Sequence, residues 1–297
     1  MPLALPAGAR AAVLAWFDDR GRALSFRASR DPYAILVSEV MAHQTQIARV
    51  AEAWPRFLER FPTVSALAAA SPADVLRVWR GMGYDRRALN LHRGARVIVV
   101  EHGGQVPRDL PSLERLPGIG PYTARAVASI AFGAPVGAVD TNVRRVLGRA
   151  LGGADGLSRA ELQTAADASV DPDRSADWTH ALMDVGATVC RPARPRCDEC
   201  PLRAWCRYAA QAAKPGVARA RLPTPMPSPP FQATSRWLRG RLVDRLREAA
   251  GPAWIEIGVP IGDHDAVAID RALAALARDG IVELDPLDPR RARLATA

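Results

Sequence analysis

The sequence is almost empty of lysine. Of its 40 basic residues only Lys214 is a lysine; the rest are arginines. Chemistry that starts from a lysine amine therefore has a single candidate in 297 residues. Cysteine is nearly as scarce, and Cys190, Cys197, Cys200 and Cys206 are crowded into one short segment. In a reducing compartment such a cluster points to metal rather than to disulfides. No apolar run is long enough to span a bilayer, so no membrane partner is expected. Met1 to Arg10 lacks the basic start and apolar run of a signal peptide, and a cytoplasmic protein is expected. Over residues 8–212 nothing alternates with period two, which argues against a β-rich fold.

The chain is long enough for two domains and a sizeable core. Its 48% hydrophobic and 24% charged residues are ordinary for a globular protein. The net charge of +9 suggests a polyanionic partner, most often nucleic acid. A GC-rich coding sequence also inflates Arg and Ala, so charge alone carries only modest weight.

Residues 8–212 read as nearly continuous helix. Ser71-Pro72-Ala73-Asp74 and Asp109-Leu110-Pro111-Ser112 each open a helix, with Val75, Leu76, Val78 and Trp79 following at helical spacing. Residues 213–232 form a linker rich in proline, including Pro215, Pro223, Pro225, Pro227, Pro229 and Pro230. Beyond it, Ser235 to Ala250 and Asp265 to Asp279 read as helices, the second capped by Gly280. Residues 281–284 and 293–295 pair as a short hairpin. Helices followed by a hairpin suggest a small winged-helix module over 233–297. No internal repeat is present.

The most informative loop is Leu116-Pro117-Gly118-Ile119-Gly120-Pro121-Tyr122-Thr123-Ala124. Gly118 and Gly120 permit close backbone approach and positive φ. A helix beginning at Thr123 would present free backbone N–H groups, suited to a DNA phosphate without reading sequence. A bare G-x-G is equally a plain turn between helices. The four cysteines follow C-x6-C-x2-C-x5-C. Four thiolates at such spacing close around a metal centre, either a structural zinc or an iron–sulfur cluster. Zinc usually takes paired C-x2-C knuckles, and only one is present. Arg191, Arg194, Arg196 and Arg203 beside them are either phosphate contacts or solvated loop charge.

The full hairpin string resembles that of the endonuclease III and MutY superfamily of helix-hairpin-helix DNA glycosylases. The likeness continues through Ser38-Glu39-Val40-Met41 with Gln44-Thr45-Gln46, Gly81-Met82-Gly83-Tyr84, Val139-Asp140-Thr141-Asn142-Val143-Arg144-Arg145-Val146, and Met183-Asp184-Val185-Gly186-Ala187. It covers roughly residues 10–210 in the family's order and, within the superfamily, is similar to the adenine glycosylase branch. The resemblance implies an all-α fold, with two helical subdomains and a DNA cleft between them. The glycosylase domain would run over 1–212 with a [4Fe–4S] loop at 190–206. It also implies double-stranded DNA bearing a mismatched or damaged base as partner, with the protein acting as a monomer and associating with the nucleoid through DNA.

Breaking an N-glycosidic bond needs a protonated leaving base and a stabilised sugar cation, and two carboxylates can share that work. By resemblance Glu39 is the acid, Asp140 the carboxylate facing C1′, and Asn142 its orienting partner. Without the family, each is more often a surface charge or a helix cap. Bifunctional relatives carry a lysine where this chain has Tyr122, so strand cleavage through an imine is not expected. Tyr122 resembles the tyrosine that hydrogen-bonds the catalytic carboxylates in many adenine glycosylases; the alternative is a half-buried structural tyrosine.

Arg22, Leu24, Phe26 and Arg27 match the start of the adenine pocket, with Phe26 in place of the usual Trp and Asp184 in place of a Glu. Gln44 and Tyr84 match residues that probe the opposite strand and wedge into the base stack. His43 departs from a common Gln. Asp85 departs from a second Tyr, unexpected where an acid would repel phosphate. The C-terminus departs most, since typical relatives end in a larger Nudix-like domain. The implied function is monofunctional excision of adenine opposite G or 8-oxoguanine. The alternatives are excision of thymine or a deaminated base, and a non-catalytic DNA-binding protein, which would need none of Glu39, Tyr122, Asp140 and Asn142.

Overall fold

The computed structural model describes residues 3–212, 229–249 and 251–296. Among them fourteen α-helices follow one another: α1 (Ala7–Arg20), α2 (Pro32–Ala42), α3 (Ile47–Arg60), α4 (Val64–Ala69), α5 (Pro72–Val78), α6 (Arg86–His102), α7 (Leu110–Arg115), α8 (Pro121–Phe132), α9 (Thr141–Leu147), α10 (Arg159–Ala168), α11 (Ser175–Asp184), α12 (Arg207–Ala212), α13 (Ser235–Glu248) and α14 (Ala266–Arg278). The strands β1 (Ile255–Glu256), β2 (Val282–Leu284) and β3 (Arg291–Leu294) are confined to the C-terminal segment. The all-α expectation for the body of the chain holds. Most of the proline-rich linker, 213–228, and Lys214 within it lie outside the described residues.

Helix starts follow local chemistry. The Ser71 hydroxyl accepts from the Asp74 N–H at 3.1 Å, and the Asp109 carboxylate from the Ser112 N–H at 2.9 Å. Helix α8 begins at Pro121, two residues before the expected Thr123, because proline's fixed φ and missing N–H suit a first helical position.

The chain forms two compact units. The first takes in the described parts of 1–39, 108–115 and 119–224. Its main core gathers Leu5, Val13, Leu147, Leu162, Trp178, Leu182 and Val185. Burying each large side chain contributes roughly 1.5–3 kcal/mol, and here it fixes the ends of α9 and α11 that carry Asp140, Asn142 and Asp184. A smaller cluster of Ile35, Ala126, Ile130 and Ala138 supports Tyr122.

The second unit takes in the described parts of 40–107, 116–118 and 225–297. Phe57 packs edge-on against Phe61 and Trp79, with ring centroids 5.1 and 5.9 Å apart. Its C-terminal part buries Leu238, Leu242 and Leu246 of α13 and Ile269, Leu273 and Leu276 of α14, each set at helical spacing. The expected hairpin is present, Val282 opposite Leu294 and Leu284 opposite Ala292. The third strand, β1, pairs antiparallel with β3. It is two residues long, too short for any period to announce it.

Candidate active site

Glu39 lies on α2 and is only 7% exposed. The Tyr122 hydroxyl donates to its Oε2 at 3.1 Å. Burial pushes the Glu39 carboxyl up to about 7; the Tyr122 hydrogen bond and the Arg27 charge pull it down, and the Asp140 charge adds to the rise. Burial, with the Glu39 and Asp140 charges, raises the Tyr122 phenol well above its ordinary range, so it is a hydrogen-bond donor and not a base. The expected acid is thus poised to hold and release a proton near neutrality.

Asp140 is the N-cap of α9. Its Oδ1 accepts from the Val143 N–H at 2.6 Å and its Oδ2 from the Asn142 side-chain amide at 2.9 Å. Both oxygens are thereby oriented. Asn142 is pinned from behind: its Oδ1 accepts from Arg145 at 2.8 Å, and Gly186 packs so closely that a Cβ there would stand 2.6 Å from the Asn142 Cβ. Only glycine fits.

Asp184 is fully buried and receives a fork from each of two arginines. Arg27 donates to both oxygens at 2.9 and 2.8 Å, while Arg22 donates through its backbone N–H and Nε, each at 2.8 Å. Burial pushes the Asp184 carboxyl up, but the hydrogen bonds from Arg27 and Arg22 outweigh it and hold the group below its ordinary value. Phe26 is buried and Leu24 half-buried on the same stretch of chain. Arg22, Arg27 and Asp184 meet, and both oxygens of the acid are taken up by the two arginines, so the three act first as a frame; the Arg27 Nε is buried without a hydrogen-bond partner among the described residues. His180, which the sequence did not single out, is buried near this frame. Burial, reinforced by the Arg27 charge, lowers its imidazole to about 3 and keeps it neutral.

In the hairpin, Gly118 takes φ +78° and a Cβ there would stand 2.7 Å from the Asn90 Cβ. Gly120 is the N-cap of α8 in extended conformation and starts a twelve-residue helix, its carbonyl accepting from the Ala124 N–H at 3.0 Å.

Within the second unit, Gln44 and Tyr84 are the two non-glycine residues with positive φ among those described, +54° and +48°. Such backbone costs energy and persists only where neighbours enforce it. The enforcing residue is Arg87, which sequence reasoning missed. Its guanidinium donates to the carbonyls of Val40, Met41 and His43, to the Thr45 hydroxyl, and to the carbonyls of Met82 and Gly83. One cation thus ties together the loops bearing Gln44 and Tyr84. Burial, then the Arg87 charge, lowers the His43 imidazole.

Cys190, Cys197, Cys200 and Cys206 line one partly open cavity together with Val146, Arg149, Leu202 and Tyr208. None is in a disulfide. The cavity holds about 390 Å³, some of it open solvent at the mouth. Burial, with the neighbouring thiols adding charge, raises the Cys200 thiol to about 11. Arg149 donates to the Cys190 sulfur at 3.4 Å, and Arg145 donates to the Cys190 carbonyl at 2.6 Å. Among the described residues no group of three or more His, Cys, Asp or Glu is arranged for a single metal ion. Four soft donors around one cavity fit a thiolate-held metal centre.

The family described as HhH-GPD superfamily base excision DNA repair protein matches residues 37–170. The adenine DNA glycosylase of Mycolicibacterium smegmatis is 43% identical over 274 residues, 91% of each chain. The chain belongs to the MutY-type adenine DNA glycosylase family. The human adenine DNA glycosylase is 44% identical over 211 residues, 67% of this chain and 39% of the human one. Among solved structures, a thermostable thymine-DNA glycosylase aligns with a TM-score of 0.64 at 29% identity, over 68% of this chain and 95% of that one. A non-covalent endonuclease III–DNA complex aligns at 0.59 and 27% identity, over 68% and 94%. Membership of this MutY-type family bears out the resemblance drawn from the sequence. Both solved neighbours cover about two thirds of the chain, whereas the mycobacterial match extends over nearly all of it. No described helix is long and apolar enough to cross a membrane.

Proposed function

We propose that this MutY-type chain is a monofunctional base-excision glycosylase that hydrolyses the N-glycosidic bond of adenine mispaired with G or 8-oxoguanine in double-stranded DNA. The observation that carries the mechanism is Glu39, buried, hydrogen-bonded by Tyr122 and poised at about 7. Glu39 gives its proton to the adenine ring. The C1′–N9 bond breaks with its electron pair leaving on the base, and the sugar becomes an oxocarbenium ion. Asp140, oriented by the Val143 N–H and Asn142, stabilises that cation. Water adds to C1′ and loses a proton, which leaves an abasic site and free adenine.

Arg22, Leu24, Phe26, Arg27 and Asp184 form the frame of the base pocket. Gln44 and Tyr84 engage the duplex, and the Gly118–Gly120 hairpin binds backbone phosphate. Cys190, Cys197, Cys200 and Cys206 would hold a [4Fe–4S] cluster. When bound, it would tie Cys190, which follows α11 in the chain, to Cys197, Cys200 and Cys206 through their thiolates, a structural contribution.

The test is single-turnover excision on duplexes carrying A·G, A·8-oxoguanine, T·G and matched A·T. Each sample is divided before and after hot alkali. Adenine release from the two adenine mismatches, with nicks appearing only after alkali, is expected. Preferential release of thymine would replace the adenine reading with the thymine one, and binding without release of any base would leave a DNA-binding protein.

A further inference from the structure

The C-terminal module, 233–297, packs within its own unit against the loop that carries Tyr84. Its α13 sends Arg247 inward, and only 5% of that side chain is exposed. Arg247 donates to Asp85 Oδ1 at 2.5 Å, to the Leu76 carbonyl at 2.9 Å and to Asp244 at 2.8 Å. Asp85 is itself 11% exposed. It stands at the N-cap of α6, yet its carboxylate makes no capping bond there. Its charge goes to Arg247 instead. This explains an acid that looked misplaced beside a DNA-facing loop: the negative charge is neutralised from the module.

Further contacts join the same surfaces. Arg77 of α5 donates to the Gly251 carbonyl at 2.9 Å, closing on the end of α13. Arg80 pairs with Glu248 at 3.0 Å. Asp279 receives Arg239 from α13 and lies 3.8 Å from Arg86 of α6.

The module also reaches Tyr84 directly. The Arg236 guanidinium lies 4.3 Å from the Tyr84 ring centroid, and no carboxylate pairs with Arg236 among the described residues. Tyr84 is 41% exposed and held at φ +48°, so a strained backbone presents an aromatic ring outward. Arg87 holds the loop's carbonyls, but its guanidinium is farther from the ring, at 5.6 Å. The nearer cation belongs to the module.

We propose that the C-terminal module is the support of the wedge. Arg247 latches the module to the loop through Asp85. Arg236 is a positioning residue that stacks on Tyr84 and holds its ring ready to enter the base stack and open the mismatch. This rests on the reading of Tyr84 as the residue that enters the stack. The Arg236 cation also adds attraction for the phosphates flanking the opened pair, because no acid among the described residues pairs with it.

The test uses the full-length protein and two duplexes: adenine opposite G, and adenine opposite an abasic gap, where no partner base has to be displaced. Arg236→Ala is expected to slow single-turnover excision roughly tenfold on the first and about twofold at most on the second, and Arg236→Lys to restore most of the loss. The loss should disappear when Arg236→Ala is made in a Tyr84→Ala background, since the arginine then has no ring to hold. Opening is followed independently by the fluorescence of 2-aminopurine placed beside the mismatched adenine. Arg247→Met, confirmed folded by circular dichroism, should show the same selective loss. Equal slowing on both duplexes, or full additivity of the Arg236 and Tyr84 substitutions, overturns the proposal. If Tyr84→Ala alone slows neither duplex, it is the wedge reading itself that fails, and the proposal with it. If Tyr84→Ala slows the paired duplex and Arg236→Ala does not, the wedge stands and the module's part in it is refuted.

Discussion

Glu39 shows how catalysis and stability oppose one another in a single side chain. Its folded value of about 7 stands above the ordinary 4.5, so the native state binds the extra proton. Stability attached to this group is fully present at low pH and is lost as pH rises through about 7. Above that it amounts to a cost of roughly 3 kcal/mol. Glu39→Gln is therefore expected to stabilise the protein by about 2–3 kcal/mol near pH 8, with little gain near pH 5, in urea unfolding. The same variant should lose at least ~100-fold in excision rate while still binding mismatched DNA, because the transferable proton is gone. Near-wild-type turnover would remove Glu39 from the acid role. Tyr122→Phe probes the same group from its neighbour. The hydroxyl's hydrogen bond lowers the Glu39 value, so its loss should move the alkaline limb of the pH–rate profile upward. A limb that stays or moves down would show that the hydroxyl does not serve Glu39.

At the scale of elements, the Asp140 loop depends on a helix that makes no chemistry of its own. Helix α11 continues into a π-helical turn, Val185–Val189, and Gly186 in that turn lets the backbone close onto Asn142. Gly186→Ala should push Asn142 away and release Asp140 Oδ2. The expected cost is about 1–3 kcal/mol of stability, typical of overpacking, together with a fall in excision rate exceeding that of a surface Gly→Ala control. An alanine variant with native melting and native rate would show that the turn gives way freely. Arg87 works at the same scale, as one guanidinium that holds two loops in conformations their own residues disfavour.

For the molecule as a whole, composition sets two expectations. Four thiols on one cavity should hold about four irons per chain, giving a brown protein with broad absorption near ~400 nm. One zinc and no iron in anaerobically purified protein would refute the cluster. With Lys214 as the only lysine and Tyr122 in the hairpin, borohydride should trap no covalent complex with mismatched DNA. Efficient trapping, lost in Lys214→Ala, would make the chain bifunctional.

The sequence by itself determined the helical class, the family, the four thiols and the residues that carry the proposed chemistry. Those signals are local: spacing along one segment, a cap, a glycine pair, a motif read in order. It also located α13 and α14 from periodicity and capping. It did not reveal that Asp184 is consumed by Arg22 and Arg27, because those partners lie more than 150 positions away and any acid reads alike in a string. The roles of Arg87 and Arg145 were equally hidden. In a chain whose basic residues are nearly all arginine, one more carries no signal until its guanidinium is seen among carbonyls. Burial of Glu39 was likewise a tertiary decision: only the packing around α2 removes its water and lifts its proton affinity. Asp85 shows the division most plainly. Its identity was legible as a departure, but its meaning depended on Arg247, which the folded chain brings from 162 positions away into the same buried pair.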